Sequence, residues 1–247
     1  MQRWISWADR ETLVLDPAAM EALTALARPQ VITCIGFARL GKSFLMNQLC
    51  GRDCFPVSPG VSICTRGLNL AIDGQTVYID TEGLAGMAGG PDHDSKIFLL
   101  AFLLSSVLVY CSKGVIDEPS INQLSFVTQL TTSLQSDNKP GLVWLLKDFA
   151  LDLRTVSGQE MSAQEYLRKA LDGDTPLRQL IRDTFPVRDC VTLVRPCQEE
   201  ADLYDISKQN LRPEFQQGLL ALRRSISTLL RPRELQGSPL TGQVVPI

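Results

Sequence analysis

The chain has 247 residues, 45% of them hydrophobic and 21% charged, which is enough for one substantial buried core. We therefore expect a single α/β domain over residues 1–247 instead of two small ones. The formal net charge of −3 mixes 24 basic with 27 acidic residues, so the composition does not favour an electrostatic nucleic-acid binder.

The apolar and cysteine-bearing segments do not indicate a membrane or secreted protein. The longest apolar run, Ile97–Cys111, has 15 residues and is too short for a spanning helix. Seven cysteines form no C-x-x-C pair, and scattered cysteines within apolar runs are typical of a reduced protein. We predict a cytoplasmic location and no transmembrane segment.

Apolar runs with strand character alternate with helical patterns along the chain. After an extended lead-in over residues 1–15, the predicted strands cover residues 31–35, 68–72, 75–79, 107–110, 142–146 and 191–194. The predicted helices begin near residues 17, 42, 97, 119, 163, 176 and 213, and the last one extends to about 230. Residues 51–65 and 84–94 are turn-rich and predict flexible loops.

This order of elements predicts the fold class. Two β-rich runs around Asp73-Gly74 indicate a hairpin with one antiparallel strand. Strands that alternate with helices indicate a mostly parallel central sheet with helices on both faces. We therefore expect an α/β fold.

The segment Gly36–Ser43 (GFARLGKS) lies between the predicted strand at 31–35 and a predicted helix, which is the context of a phosphate-binding loop. Its backbone N–H groups and the helix N-terminus would face the β-phosphate of a nucleotide. Lys42 would add a positive charge, and the Ser43 hydroxyl would bind Mg²⁺. The predicted nucleotide contacts are Phe37, Ala38, Arg39, Leu40, Gly41, Lys42, Ser43 and Phe44.

A second motif, Asp80–Gly83, follows the apolar strand of the predicted hairpin and has the D-x-x-G form of GTP-binding proteins. Asp80 would hold Mg²⁺, and the Gly83 N–H would meet the γ-phosphate. The loop between the two motifs must supply a threonine that closes over the metal, and Thr65 is the best placed. The predicted metal ligands are therefore Ser43, Thr65 and Asp80.

Base recognition requires a carboxylate that accepts hydrogen bonds from guanine. The pattern Asn-Lys-x-Asp is absent, because Asn138-Lys139 is followed by Pro140-Gly141. Asp148, at the carboxyl end of a predicted buried strand, is the substitute, since ligands of open α/β sheets bind there. The single histidine, His93, lies between Asp92 and Asp94, and we interpret this segment as a solvated loop instead of a metal site.

Six segments carry patterns that go beyond a general nucleotide-binding protein. They are Gly36–Asn47, Asp80–Leu84, Leu103–Ser106, Trp144–Phe149, Leu151–Leu153 and Leu211–Phe215. On these motifs, the chain resembles the large GTPase domain of guanylate-binding proteins, in the dynamin superfamily, with the atlastins as more distant relatives. The resemblance covers nearly the whole sequence and implies a phosphate-loop GTPase fold.

The resemblance implies roles for the matching residues. Arg39 would be an arginine finger that acts in cis on the charge of the transition state. Lys147, in the place of the family's arginine, and Asp148 would bind guanine, and Arg195 would also contact the nucleotide. Residues 196–211 would form a guanine cap through which two GTP-bound domains meet as a homodimer.

The family's water network is only partly matched. Glu82 stands in the place of the family's water-network acid. Ile63 occupies the place of a serine that positions the attacking water, with Ser62 one residue away. Either the flexible loop absorbs this shift or hydrolysis is slow.

Together these observations predict Mg²⁺-dependent hydrolysis of GTP to GDP and phosphate. The predicted catalytic residues are Arg39, Lys42, Thr65 and Glu82. Ile63 favours one alternative, a nucleotide-gated interaction module that binds GTP and barely turns it over. A phosphate-loop nucleotide kinase is disfavoured, because the sequence has no arginine-rich lid and Asp80–Gly83 suits a GTPase.

Overall fold

The computed structural model of the chain describes residues 2–7, 13–58, 65–84, 91–131, 139–155, 157–199, 201–203, 211–231, 234–235, 238–239 and 241. Its strands are β1 Gln2–Trp7, β2 Leu13–Leu15, β3 Gln30–Gly36, β4 Leu68–Asp73, β5 Thr76–Thr81, β6 Val107–Lys113, β7 Gly141–Lys147, β8 Arg188–Leu193, β9 Glu234–Leu235 and β10 Ser238–Pro239. Its helices are α1 Pro17–Thr24, α2 Lys42–Cys50, α3 Pro91–Leu104, α4 Glu118–Thr131, α5 Ala163–Ala170, α6 Pro176–Thr184 and α7 Pro213–Leu229.

The central sheet has eight strands in the order β2-β1-β4-β5-β3-β6-β7-β8. Strands β5, β3, β6, β7 and β8 pair in parallel, as strand–helix alternation requires. Strand β4 runs antiparallel to β5, and Gly74 in the connecting turn has a φ of 60°, which suits glycine. The predicted α/β fold, with a mostly parallel sheet and an antiparallel hairpin, is confirmed.

Helices cover both faces of this sheet, because successive residues of each strand point to opposite sides. On β6, Val107, Val109 and Cys111 pack in one cluster with buried residues of α2 and α7. Leu108 and Tyr110 belong to the cluster on the other face, with residues of α3, α4, α5 and α6. A strand that is buried on both faces has apolar residues at successive positions. This explains why the sequences of β6 and β7 are nearly continuous apolar runs.

The N-terminal lead-in and the start of α3 differ from the prediction. Residues 1–15 contain β1 and β2, and Ile5 of β1 lies opposite both Leu15 and Leu68 at the outer part of the sheet. Helix α3 begins at Pro91, six residues earlier than expected, because proline suits the first turn of a helix. The predicted loop 84–94 therefore ends before Pro91, and its residues 85–90 lie outside the described part of the chain.

The parallel strands bring three predicted motifs to one edge of the sheet. Strands β3, β5 and β7 end at Gly36, Thr81 and Lys147, and the carboxyl ends of parallel strands meet at the same edge. The phosphate loop, the Asp80–Gly83 motif and Asp148 consequently lie at the same edge of the sheet, with β6 between β3 and β7. Within the described residues, every helix is too short or too polar to span a lipid bilayer.

Candidate functional site

The phosphate loop connects the last residue of β3 to the first residue of α2. Gly41 precedes the helix with a φ of 66°, a left-handed conformation that glycine adopts without strain. Lys42 is buried, and its Nζ donates to the carbonyl oxygen of Phe37 at 3.0 Å, across the loop. The α2 N-terminus and the Lys42 ammonium thus place positive charge at the same point, which favours an anion.

The three predicted metal ligands contact one another. The hydroxyl of Ser43 donates to Oδ2 of Asp80 at 2.7 Å, and the hydroxyl of Thr65 donates to the same oxygen at 2.8 Å. The two hydroxyl oxygens are 3.3 Å apart. Residues that are 15 to 37 positions apart in sequence therefore form one cluster of oxygen atoms.

Asp80 is the buried centre of this cluster. Its side chain is fully inaccessible to solvent, and Oδ1 has no hydrogen-bond partner among the described residues. Burial raises the pKa of Asp80, although hydrogen bonds from Ser43 and Thr65 and the charge of Lys42 act in the opposite direction. A buried carboxylate oxygen without a partner is costly unless a ligand satisfies it.

These residues fit Mg²⁺. The cluster offers hydroxyl and carboxylate oxygens, which are hard ligands, and Oδ1 of Asp80 needs a partner that the described residues do not supply. The described residues contain no group of three or more His, Cys, Asp or Glu side chains that could hold a metal.

Gly83 joins the second motif to the phosphate loop. A Cβ atom at Gly83 would lie 2.2 Å from the Cα of Ala38, so only glycine permits this approach. Next to it, the Ala38 N–H donates to the Leu84 carbonyl at 3.0 Å, and the Leu84 N–H donates to the Gly36 carbonyl at 3.0 Å. The phosphate loop and the Asp80–Gly83 motif are therefore packed as one unit.

Glu82 is buried and contacts two other segments. Its Oε2 accepts from the Gly67 N–H at 2.9 Å and lies 3.2 Å from Nε2 of His93. His93 is in the first turn of α3, so the interpretation of this histidine as part of a solvated loop is wrong. The interaction was missed because the glycines before Pro91 suggested a longer loop, although a proline at that position could have marked the helix start.

Two site residues have unusual backbone conformations. Among the described residues, the only non-glycine residues with positive φ are Arg39, at 66°, and Asp148, at 54°. Such conformations are costly for side-chain-bearing residues, and they concentrate at binding and catalytic sites. The sequence predicts a functional role for both residues, Arg39 within the phosphate loop and Asp148 directly after β7.

Lys147 contacts the phosphate loop from the end of β7. It is buried, and its Nζ donates to the Leu40 carbonyl and, at 3.1 Å, to the Gly41 carbonyl. The contacting residues are more than 100 positions apart in sequence, so no local sequence pattern predicts this contact. In this conformation the Lys147 ammonium supports the loop backbone, and Asp148 is the half-buried residue that follows.

The remaining predicted residues lie after β8, in the first turn of α2 or outside the described part of the chain. Arg195 follows the end of β8 by two residues, and Phe44 is in the first turn of α2. Of the predicted guanine cap at 196–211, residues 200 and 204–210 lie outside the described part. Ser62 and Ile63 also lie outside it, so the effect of the missing serine stays a prediction.

Sequence comparison identifies relatives for nearly the whole chain. Residues 10–234 match the family model described as "Guanylate-binding protein, N-terminal domain". Human guanylate-binding protein 2 is 34% identical over 241 residues, which cover 82% of this chain and 41% of that protein. Human guanylate-binding protein 3 is 35% identical over 243 residues, with 83% and 41% covered.

Structure comparison agrees on the fold. A solved structure of the chloroplast translocon components atToc33 and psToc159 matches with a TM-score of 0.50 and covers 93% of this chain and 96% of that one. Its sequence identity is 15%, so the likeness concerns the fold alone. The present chain spans about two fifths of the length of the curated relatives it matches.

Proposed function

We propose that this chain, which belongs to the guanylate-binding protein family, binds GTP with Mg²⁺ and hydrolyses it to GDP and phosphate. The observation that carries the proposal is the cluster of Ser43, Thr65 and Asp80 beside the phosphate loop. A generic glycine-rich turn would not require three oxygen ligands from three separate segments to meet at the head of a helix.

The residues around the phosphate loop would have separate roles in binding and catalysis. Lys42 and the N–H groups at the head of α2 would bind the β- and γ-phosphates. Arg39 is exposed on the loop, and its left-handed backbone supports a role over the transferring phosphoryl group. Ser43, Thr65 and Asp80 would hold Mg²⁺, which neutralises charge on the phosphate oxygens when bound.

The chemistry is an in-line attack of water on the γ-phosphate, which depends on positioning and electrostatics instead of covalent catalysis. Glu82 is the buried carboxylate within the Asp80–Gly83 motif that follows Asp80 by two residues, and we assign it to the network that orients the attacking water. Thr65 would close the site, because its hydroxyl already reaches Asp80 at 2.8 Å.

Guanine recognition would use Asp148. A carboxylate can accept from both the N1–H and the exocyclic amine of guanine, whereas adenine offers no such pair of donors. Lys147 would support the arrangement through its contacts with the Leu40 and Gly41 carbonyls. Arg195 and the cap at 196–211 complete the proposed base end.

We extend the proposal to self-association and location. Dimerisation is described as important for the GTPase activity of the translocon components atToc33 and psToc159. We propose for this chain a GTP-dependent homodimer through the nucleotide-binding face of the GTPase domain. None of the six described cysteines is in a disulfide, which supports a reduced, cytoplasmic protein. A single GTPase domain over residues 1–247 remains part of the proposal.

The experiment is phosphate release from GTP by the purified chain, with and without Mg²⁺, at several protein concentrations. We expect saturable, Mg²⁺-dependent turnover whose specific activity rises with protein concentration. Lys42→Ala is the control variant, in which nucleotide binding should be strongly weakened. Tight GTP binding without phosphate release would instead support the interaction-module alternative, and absence of GTP binding would contradict both.

A further inference from the structure

We propose that His93 is a positioning residue for hydrolysis, because it holds the Glu82 carboxylate in place from the first turn of α3. The inference rests on the proposed function, which assigns Glu82 to the attacking water. The distance between Nε2 of His93 and Oε2 of Glu82 is 3.2 Å.

The backbone already fixes one side of Glu82. Its N–H donates to the Gly67 carbonyl at 2.8 Å, and the Gly67 N–H donates back to Oε2 of the Glu82 side chain at 2.9 Å. Gly67 is itself confined, since a Cβ atom there would lie 2.2 Å from the Ile5 carbonyl oxygen. The chain that follows Thr65 and the Asp80–Gly83 motif are therefore tied together at Glu82.

His93 adds a third segment to this pair. Glu82 is only 4% exposed, and a buried carboxylate is stable only when donors satisfy it. Nε2 of His93 and Oε2 of Glu82 are within hydrogen-bond distance, and the tautomer that carries its proton on Nε2 donates to this oxygen.

The imidazole is a suitable fixed point because the helix that carries it is anchored. Ile97 and Phe98, one turn further along α3, are buried against the sheet. A rotation about the Glu82 side-chain bonds would have to break the contact with His93 as well as the one with Gly67. Since a misplacement of 1 Å can cost about 10²-fold in rate, a carboxylate held from two sides is a catalytic advantage.

The test compares three substitutions that differ in the donor they leave. His93→Leu keeps an apolar side chain of similar size and removes the donor. His93→Gln places an amide N–H close to the position of Nε2, whereas His93→Asn carries the same amide on a side chain that is one methylene shorter. For each variant, kcat for GTP, affinity for a non-hydrolysable GTP analogue and melting temperature are measured.

We expect His93→Leu and His93→Asn to lower kcat by roughly 10- to 100-fold while the affinity for the analogue changes by less than about twofold. His93→Gln should recover most of the native kcat. Native kcat in the leucine variant would overturn the proposal. If kcat fell equally in the leucine and glutamine variants and the melting temperature of both fell as well, the proposal would also be overturned, and His93 would have a structural role alone.

A second readout separates this inference from the proposed function. Deuterium exchange of the Gly67 amide reports the Glu82 contact whether or not the protein turns over GTP. It should be faster in His93→Leu and His93→Asn than in the native chain and in His93→Gln. Unchanged exchange in all three variants would refute the positioning role, whereas a native chain that releases no phosphate would refute the function only.

Discussion

At the phosphate end of the site, side chains from several segments contact one another. At the base end, each predicted residue comes from the end of one strand: Asp148 follows β7, and Arg195 follows β8. Asp80 accepts from Ser43 and Thr65, and Gly83 packs on Ala38. The position of the Asp148 side chain is instead set by the left-handed backbone conformation of Asp148 itself, with a φ of 54°. The difference indicates that the proposed phosphate and metal site is built into the packed domain, and that the proposed base site depends on fewer contacts among the described residues.

The two ends are nevertheless connected. Lys147 comes from the strand that carries Asp148, and its ammonium contacts the carbonyls of Leu40 and Gly41 in the phosphate loop. A substitution at the base end that leaves Lys147 intact should therefore change nucleotide selectivity, and a substitution in the loop should change binding or rate for every nucleotide.

The largest expected effect is on the rate. Arg39→Ala should lower kcat by about 10³-fold, because an arginine finger stabilises charge that develops only in the transition state. Affinity for a non-hydrolysable GTP analogue should change much less. Single-turnover phosphate release and equilibrium binding measure the two quantities separately. An affinity loss equal to the rate loss would rule out the finger role and leave Arg39 as an ordinary phosphate contact.

Removal of the loop lysine tests the phosphate end next. Lys42→Ala should weaken binding of GTP and of other triphosphates alike by on the order of 100-fold, since a charged hydrogen bond to phosphate is lost. Calorimetric titration with GTP and with xanthosine triphosphate (XTP) measures this. Unchanged affinity for both would mean that the nucleotide binds elsewhere.

The base end is tested by a change of selectivity. Asp148→Asn should weaken GTP binding by roughly tenfold or more while XTP binding weakens less, because the amide carbonyl cannot accept both guanine donors. Lys147→Met is the matched control from the end of the same strand, and it should weaken the binding of GTP and of XTP equally. Equal losses for GTP and XTP in the asparagine variant would disprove the assignment of Asp148.

The smallest expected effect is on the stability of the nucleotide-free protein. Burial raises the pKa of Asp80, so the native carboxyl holds a proton to a higher pH than in the unfolded chain, where the pKa of an aspartate is about 3.9. At a pH between the unfolded-state pKa and the native pKa of Asp80, the folded state binds more protons than the unfolded state. The free energy of unfolding therefore falls as the pH rises through this window. Ionised Asp80 therefore destabilises the metal-free protein at neutral pH.

Asp80→Asn should raise the melting temperature of the metal-free protein at pH 7, by about 2–4 °C for each kcal/mol recovered. The amide oxygen can still accept from Ser43 and Thr65. The gain should vanish at a pH at which native Asp80 is protonated, and Mg²⁺ should no longer stabilise the variant. Thermal unfolding with and without Mg²⁺ measures both effects, and a lower melting temperature at pH 7 would contradict the account.

The sequence predicted those parts of the molecule that local patterns encode. Gly36–Ser43 between a strand and a helix, and the hairpin around Asp73-Gly74, are short-range signals, and the structure places them as expected. The side chains of Ser43 and Asp80 meet because the parallel strands β3 and β5 end at one edge of the sheet, which is a general rule of such sheets. Thr65 reaches the same edge because it precedes β4, which runs antiparallel to β5.

The contacts of His93 and Lys147 could not be predicted in the same way. Each depends on which way a side chain points once distant segments have packed, and periodicity carries no information about that direction. For His93 the error began with the boundary of α3, which the glycine-rich segment before Pro91 obscured. For Lys147, the resemblance suggested a role at guanine, and only the structure revealed its contact with the loop carbonyls.

A crystal structure of the chain with Mg²⁺ and a non-hydrolysable GTP analogue tests the central claim most directly. We predict that the triphosphate lies on the N–H groups at the start of α2, with the metal beside Ser43, Thr65 and Asp80, and that guanine is hydrogen-bonded to Asp148. An analogue that is bound elsewhere, or a phosphate loop that stays empty at saturating analogue, would contradict the account.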